Sequence, residues 1–377
     1  MAARFGRRKL LEAGASFGGI GASLAILPHA DLLRLESSPQ NLATPLEHLN
    51  RLITPTSSFF VRSHFGPPAL DPDRVVEVGG LVRTRLSLRA ADLKTTFRPI
   101  TVTAALQCAG NGRALHSPPV PGLQWTHGAM GQATFTGARL RDVLERAGAR
   151  KDAGHVHLLG ADAPPKPTTP AFLRSIPMAR ALDPSTLVAW QMNGEDLTLA
   201  HGAPLRLVVP TWAGDHWIKW LTKVSVEESE ATGYFMERAY RIPRSRVEPG
   251  ADVAPGDMRP LTTFPVKSTI GAPLEGSRAA PGLQEVVGVA LSGEAAIAKV
   301  EVSIDDGKSW RLAKLEGEAA PGRWNVFRFV FERAAPGKVR AIARATDRKG
   351  NVQPEHPDWN PSGYLWNGWH AVSWEVG

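Results

Sequence analysis

Cys108 is the only cysteine in 377 residues, and its neighbours make it the first place to look for chemistry. It lies in Leu106-Gln107-Cys108-Ala109-Gly110-Asn111-Gly112-Arg113. The run Ile100 to Ala105 reads as a strand, so the cysteine falls where a strand enters a glycine-rich loop. Glycines let backbone approach a ligand, and Arg113 supplies a fixed positive charge. A thiol beside an arginine is expected to have a lowered pKa and to serve as a soft metal ligand. Taken alone, a single cysteine is more often a small core residue, and a nucleophile paired with histidine is the other reactive alternative. One cysteine excludes an intramolecular disulfide, a thiolate-held iron–sulfur cluster and a four-cysteine zinc site. The C-x-x-C-H pattern for covalent haem is absent too, so electrons leaving such a site need an external acceptor.

Outward from Cys108 runs an ordered series of cationic and aromatic residues. It comprises Phe60-Val61-Arg62-Ser63-His64, Gly122-Leu123-Gln124-Trp125, Ser175-Ile176-Pro177, His201-Gly202-Ala203-Pro204-Leu205-Arg206, Trp217-Ile218-Lys219-Trp220-Leu221 and Tyr240. Singly, each has an ordinary reading: an ion-paired arginine, a satisfied loop histidine, a core aromatic. In this order, around Cys-Ala-Gly-Asn followed two residues later by Arg, they resemble the sulfite oxidase family of molybdopterin enzymes. The likeness is to bacterial periplasmic sulfite dehydrogenase catalytic subunits first, with sulfane dehydrogenase subunits close behind.

The resemblance implies an α+β chain: a mixed α/β molybdopterin-binding domain followed by an immunoglobulin-like β-sandwich for dimerisation. It implies that Cys108 coordinates molybdenum. Phe60, Arg62, His64, Asp162, His201, Arg206 and Lys219 would hold a pterin without added nucleotide, and its phosphate. Arg62, Arg113, Trp125 and Tyr240 would shape the substrate pocket. The residue types suit that task, since a guanidinium fork binds phosphate or a small oxyanion through two parallel hydrogen bonds. The implied reaction is oxidation of sulfite to sulfate by oxo transfer, in a homodimer with no haem in this chain, with electrons passed to a separate c-type cytochrome. The chain departs from the family at Ser63, where the resemblance implies an asparagine, and more consequentially in a second place. Animal members carry an arginine within Trp-Asn-x-Arg-Gly, whereas this chain has Trp359-Asn360-Pro361-Ser362-Gly363, leaving the pocket one positive charge poorer. A sulfane-sulfur dehydrogenase acting on a protein-bound substrate is the neighbouring alternative. A nitrate or sulfoxide reductase fits less well, because plant-type nitrate reductases join this layout to haem and flavin domains. A secreted non-enzymatic binding protein belongs to a different class, and leaves the ordered cations around Cys108 unexplained.

These residues need a scaffold, and the chain has two textures. Over 41–255, the expected catalytic domain, apolar β-like runs alternate with short helical patterns. Val75 to Val78 before Gly79-Gly80 reads as a strand and turn, and Leu205 to Pro210 as a buried strand ended by proline. Leu140 to Ala147 reads as a short amphipathic helix. The expected boundary lies in the Pro/Gly-rich stretch between Pro249 and Pro260. Over 260–377 the pattern is of short strands: Val300 to Ile304 with Asp306-Gly307 as a hairpin turn, Trp324 to Phe331, and Val339 to Thr346. Such spacing suggests a β-sandwich.

Residues 1–30 read as an address. Arg7-Arg8 is followed at once by Leu10-Leu11 and a Gly/Ala-rich apolar stretch, which resembles a twin-arginine export signal and implies a periplasmic location. It is too short and glycine-rich for a membrane span, and no span is expected in the mature protein. The formal charge is +8, of which three net charges lie in the first dozen residues. The remainder fits an anionic substrate, cofactor or partner. Nucleic acid is a poor fit, because no compact Lys/Arg cluster is interleaved with aromatics.

Overall fold

The computed structural model describes residues 32–377; the export segment expected at 1–30 lies outside the described residues. The first part of the chain folds around two five-stranded sheets. One runs in the order Glu195–Asp196, Leu187–Met192, Met130–Arg139, Ile100–Gln107, all antiparallel, with Arg206–Val208 also paired to Leu187–Met192. The other runs Leu86–Leu88, Val76–Gly80, Leu221–Glu227, His155–Gly160, Arg174–Pro177, antiparallel except where Val76–Gly80 meets Leu221–Glu227. Both sheets feed one apolar core that includes Phe135, Leu144, Val156, Ile176, Leu205 and Val224. The helix Leu140–Ala147 buries Leu140, Val143, Leu144 and Ala147, and ends at Gly148, whose φ of 66° is a left-handed cap.

One sequence expectation needs correction here. Gly79-Gly80 is no turn: the strand continues through Gly80 because Ser225 and Val226 pair with it in parallel. A Cβ at Gly80 would stand 2.2 Å from the Val226 carbonyl oxygen, so glycine permits the close pairing rather than breaking the strand. Local sequence shows the breaker residue but not its distant partner.

The chain after 258 forms a β-sandwich. Its four-stranded sheet is ordered Lys267–Ala272, Gly282–Leu291, Trp324–Arg333, Lys314–Glu316. Its five-stranded sheet is ordered Arg278–Ala279, His370–Val376, Gly337–Asp347, Ile297–Ser303, Arg311–Leu312. Asp306 and Gly307, at φ 58° and 83°, form the tight turn that their types suggest. Val286, Val300, Phe327, Ala341 and Trp374 fill the sandwich core. Between the two parts, Arg241–Pro243 pairs with Met258–Pro260, and the intervening residues loop out and return.

The sandwich packs directly onto the sheet that carries Cys108. Ala105 and Met130 share an apolar cluster with Phe264, Val289, Leu291 and Trp324. The Ala105 N–H donates to the Gly322 carbonyl at 2.8 Å, and the Trp324 N–H to Gln132 Oε1 at 2.7 Å. Among the described residues no helix is long and apolar enough to cross a membrane.

Candidate active site

Cys108 begins the loop that leaves the strand Ile100–Gln107. Its N–H donates to Ala129 O at 2.9 Å, and its carbonyl accepts from Asn111 N at 3.0 Å. Asn111 is fully buried and its Oδ1 accepts from Ala129 N, so the loop is tied back on the neighbouring segment. Gly112 adopts φ 91°, and a Cβ there would lie 2.7 Å from Cβ of Trp366 in the sandwich. Only glycine satisfies both the backbone conformation and that approach.

Two cavities meet at this loop. The first is lined by Phe60, Arg62, His64, Cys108, Asp162, His201, Arg206 and Lys219 among others, the eight residues that the family resemblance assigns to the cofactor. The second is lined by Arg62, Arg113, Trp125 and Tyr240 among others, the four that the resemblance assigns to the substrate pocket. Arg62, His64, Cys108 and Tyr240 line both cavities. The thiol therefore stands where a group filling the first cavity would face a small molecule entering the second.

The chemistry of the first cavity calls for an anion. Arg206 is 2% exposed and, among the described residues, has no carboxylate partner. Its guanidinium donates to the His201 and Trp217 carbonyls at 3.0 and 3.4 Å, while its Nε is buried without a partner. Burial lowers its pKa to about 9. Lys219, whose Nζ donates to Ala200 O at 3.0 Å, is lowered to about 7 by burial and then by Arg206. Two carboxyls line the cavity: Asp162, itself pushed up to about 6 by burial, and Asp215, which is engaged by Arg174 at 2.6 Å. Two buried cations beside one cavity, short of negative charge, fit a phosphate-bearing cofactor. Trp125, fully buried, packs edge-on to Phe60 at 6.4 Å, and its Nε1 also lacks a partner. Among the described residues no group of three or more His, Cys, Asp or Glu gathers as a metal site. Cys108 therefore belongs to no such cluster, and a metal held there would need further ligands from an organic cofactor.

The acidity expected for Cys108 is reversed. Burial pushes the thiol up, and Arg62, the Gly110 backbone and Arg113 offset this only in part. Arginine two turns of chain away cannot outweigh the low-dielectric surroundings of a thiolate. A bound metal would displace that proton outright.

On the side of the second cavity, hydrogen bonding fixes where the protons sit. Arg62 can only donate, so His64 Nδ1, 3.2 Å from Arg62 Nη2, accepts. Burial, and then Arg62, hold the His64 pKa well below its usual value, so the ring is neutral. Its remaining N–H, on Nε2, donates to Tyr240 Oη at 2.6 Å. Burial pushes the Tyr240 phenol far up. Tyr240 therefore keeps its own O–H proton, free to donate toward the cavity. Arg62 is braced by Asn41 Oδ1 and by the Ser63 carbonyl. Arg113 is pinned by Nε to Ser362 O at 2.9 Å and by Nη1 to Leu123 O at 3.1 Å. Ser362 thus contributes its backbone oxygen to Arg113.

Sequence reasoning missed several residues here. Arg174, fully buried, donates to Asp215 Oδ2 at 2.6 Å and to the Phe235 carbonyl, and meets His216 Nε2 at 3.0 Å. Its guanidinium lies 5.0 Å from the Tyr240 ring centroid. Tyr364 of the sandwich stacks on Tyr240 at 5.3 Å and 11°. The adjacent charges in Gly214-Asp215-His216, set among apolar residues, were the one available signal. His127, left without a role, packs against His370 at 4.0 Å.

Residues 64–235 match the family model of the oxidoreductase molybdopterin binding domain, and 259–376 that of the Mo-co oxidoreductase dimerisation domain. Fold and paired cavities accordingly place the chain in the class of molybdopterin oxidoreductases. It is 39% identical over 363 residues to mitochondrial sulfite oxidase of Rattus norvegicus, covering 91% of this chain and 66% of the rat protein. It is 32% identical over 379 residues to sulfite oxidase of Arabidopsis thaliana, covering 93% of this chain and 95% of the plant protein. Its structure resembles the sulfane dehydrogenase SoxCD from Paracoccus pantotrophus, with a TM-score of 0.79 at 27% identity, over 96% of this chain and 92% of that one. The chain belongs to the sulfite oxidase family.

Proposed function

We propose that this protein oxidises sulfite to sulfate, releasing two electrons to an external acceptor and taking the added oxygen from water. The observation that carries the reading is the meeting of the two cavities at Cys108, with Arg62, His64 and Tyr240 shared between them. When bound, a molybdenum–pterin would supply oxygen-atom transfer and two-electron redox chemistry at that junction. Cys108 would hold the metal, while Arg206 and Lys219 would neutralise the phosphate, with Asp162 and His201 beside them. Arg62 then attracts the dianion electrostatically, and Arg113 adds fixed charge from a position locked by backbone carbonyls. Tyr240 donates its O–H to a substrate oxygen, oriented by the neutral His64 behind it. Because His64 donates to Tyr240, it steers that proton into the cavity.

The likeness to sulfite oxidases of rat and Arabidopsis supports sulfite as the substrate. The electron acceptor would be a separate c-type cytochrome, and the sandwich would mediate a homodimer. Export by the twin-arginine route to the periplasm would follow from Arg7-Arg8, and would be lost in an Arg7→Lys, Arg8→Lys variant. A second reading, oxidation of sulfane sulfur carried on a protein, is favoured by the likeness to the SoxCD sulfane dehydrogenase.

The test is metal analysis of purified protein followed by assay with sulfite, thiosulfate and nitrate. About one molybdenum per chain, turnover of sulfite, and loss of both in Cys108→Ser are expected. Normal sulfite oxidation by Cys108→Ser would overturn the scheme. Turnover of thiosulfate or a persulfide carrier but not of sulfite would select the second reading.

A further inference from the structure

The second cavity is bordered by a layered column of side chains. Arg113 lies 5.2 Å from the Tyr364 ring centroid, Tyr364 stacks at 5.3 Å on Tyr240, and Arg174 lies 5.0 Å from the Tyr240 ring. Both ends are anchored. Arg113 donates to Ser362 O and Leu123 O, and Arg174 is held by Asp215 and the Phe235 carbonyl. The middle of the column comes from the other domain. Tyr364 N donates to Asn360 Oδ1 and Asn360 Nδ2 returns to Tyr364 O, both at 2.9 Å. The next residue, Leu365, donates its N–H to Ala109 O in the Cys108 loop at 2.8 Å. Tyr364 is therefore placed by its own turn and by the metal-binding loop together.

We propose that Tyr364 is a positioning residue for the oxyanion: its ring sets the place of Arg113 on one side and of Tyr240 on the other. Arg113 spends Nε and Nη1 on backbone carbonyls, so only its remaining N–H groups are available to an anion, and their direction depends on how the guanidinium plane lies. A ring face beneath the cation fixes that plane. Tyr240 takes a left-handed backbone at φ 55°, uncommon for an aromatic residue, and offset stacking limits the swing of its ring. The C-terminal domain thereby contributes an uncharged aromatic plate to a pocket whose animal relatives receive an arginine from the same segment. Affinity for the anion then depends on the alignment of two groups rather than on a further charge.

This inference rests on the second cavity being an oxyanion site, and the experiment separates the two ideas. Full-length holoenzymes carrying Tyr364→Phe, Tyr364→Leu and Tyr364→Met are titrated calorimetrically with sulfate, then assayed with sulfite. Leucine and methionine keep apolar bulk without a π face, so one serves if the other does not fold. We expect sulfate Kd and sulfite KM to rise about tenfold in Leu and Met, about 1.4 kcal/mol, with kcat changed less than threefold. Tyr364→Phe, which keeps both ring contacts, should stay within about threefold of wild type in Kd. Wild-type affinity in Tyr364→Leu and Tyr364→Met, or equal losses in Phe and Leu, would overturn the inference while leaving the proposed reaction intact. Wild-type protein that neither binds sulfate nor oxidises sulfite would overturn both.

Discussion

Replacing Lys219 by methionine is expected to stabilise the cofactor-free chain and to weaken its grip on the cofactor. Lys219 Nζ touches the Ala200 carbonyl and lies 4.1 Å from the Trp220 ring centroid. Its pKa falls from 10.5 to about 7 on folding, through burial and then the neighbouring Arg206. Between those values the unfolded chain binds more protons than the folded one, so stability rises with pH across that window. The stabilising contribution of a neutral lysine is complete above 10.5 and is lost as pH falls through 7. At about 1.4 kcal/mol per pKa unit the ceiling is about 5 kcal/mol. The partly exposed stem and the carbonyl contact reduce it, and about 2 kcal/mol is the working figure. Urea unfolding of cofactor-free wild type and Lys219→Met at about pH 6 should therefore favour the variant by that amount, with the gap closing near pH 10. In holoprotein the sign inverts. The phosphate loses a charge-assisted hydrogen bond of roughly 1.5–3 kcal/mol, or about ten- to hundredfold in retention. Molybdenum content after prolonged dialysis measures this. A pH-independent difference, or full molybdenum retention by the variant, would refute the placement of Lys219 as a buried phosphate anchor.

Other substitutions probe the rest of the site. Tyr240→Phe removes the hydroxyl that His64 orients, and should lower kcat/KM for sulfite about 10²-fold while leaving molybdenum content unchanged. Arg62→Gln should cost roughly 10²–10³ in kcat/KM, read by steady-state assay at low ionic strength. Gly112→Val forces a β-branched residue to φ 91° against Trp366, and should destabilise by about 2–3 kcal/mol in chemical denaturation. Lys267, 1% exposed, with its Nζ 5.0 Å from the Trp366 ring centroid but without a hydrogen-bond partner among the described residues, and its pKa lowered by burial to about 7, should behave like Lys219 without the cofactor penalty. Lys267→Met should raise the Tm at pH 6 and do so progressively less toward pH 10.

What could be read from sequence was whatever is encoded locally. The helix Leu140–Ala147 announces itself by apolar spacing and a following glycine, and Asp306-Gly307 by its turn chemistry. The site residues assigned from Phe60 to Tyr240 line two adjoining cavities, whereas the Ser175-Ile176-Pro177 signature lies in a core strand that lines neither. Features that depend on distant partners stayed hidden. Gly79-Gly80 looks like a turn until Leu221–Glu227 lies alongside it. Arg174 and Asp215 are 41 residues apart, and neither carries a motif that foretells a buried ion pair behind Tyr240. Tyr364 is an unremarked aromatic until the sandwich docks. The Cys108 thiol was misjudged for the same reason: the arginine is visible in sequence, whereas the burial that outweighs it is a property of the assembled core.

The bond from Leu365 to Ala109, with those from Ala105 to Gly322 and Trp324 to Gln132, has a consequence for how the chain comes apart. Part of the support of the Cys108 loop and of the strands beside it belongs to the sandwich, so the two domains should melt as one cooperative unit with a single calorimetric transition. A truncated catalytic domain would then be no miniature enzyme. Loosening the sandwich would reach the Cys108 loop through Leu365 on Ala109 and Ser362 on Arg113.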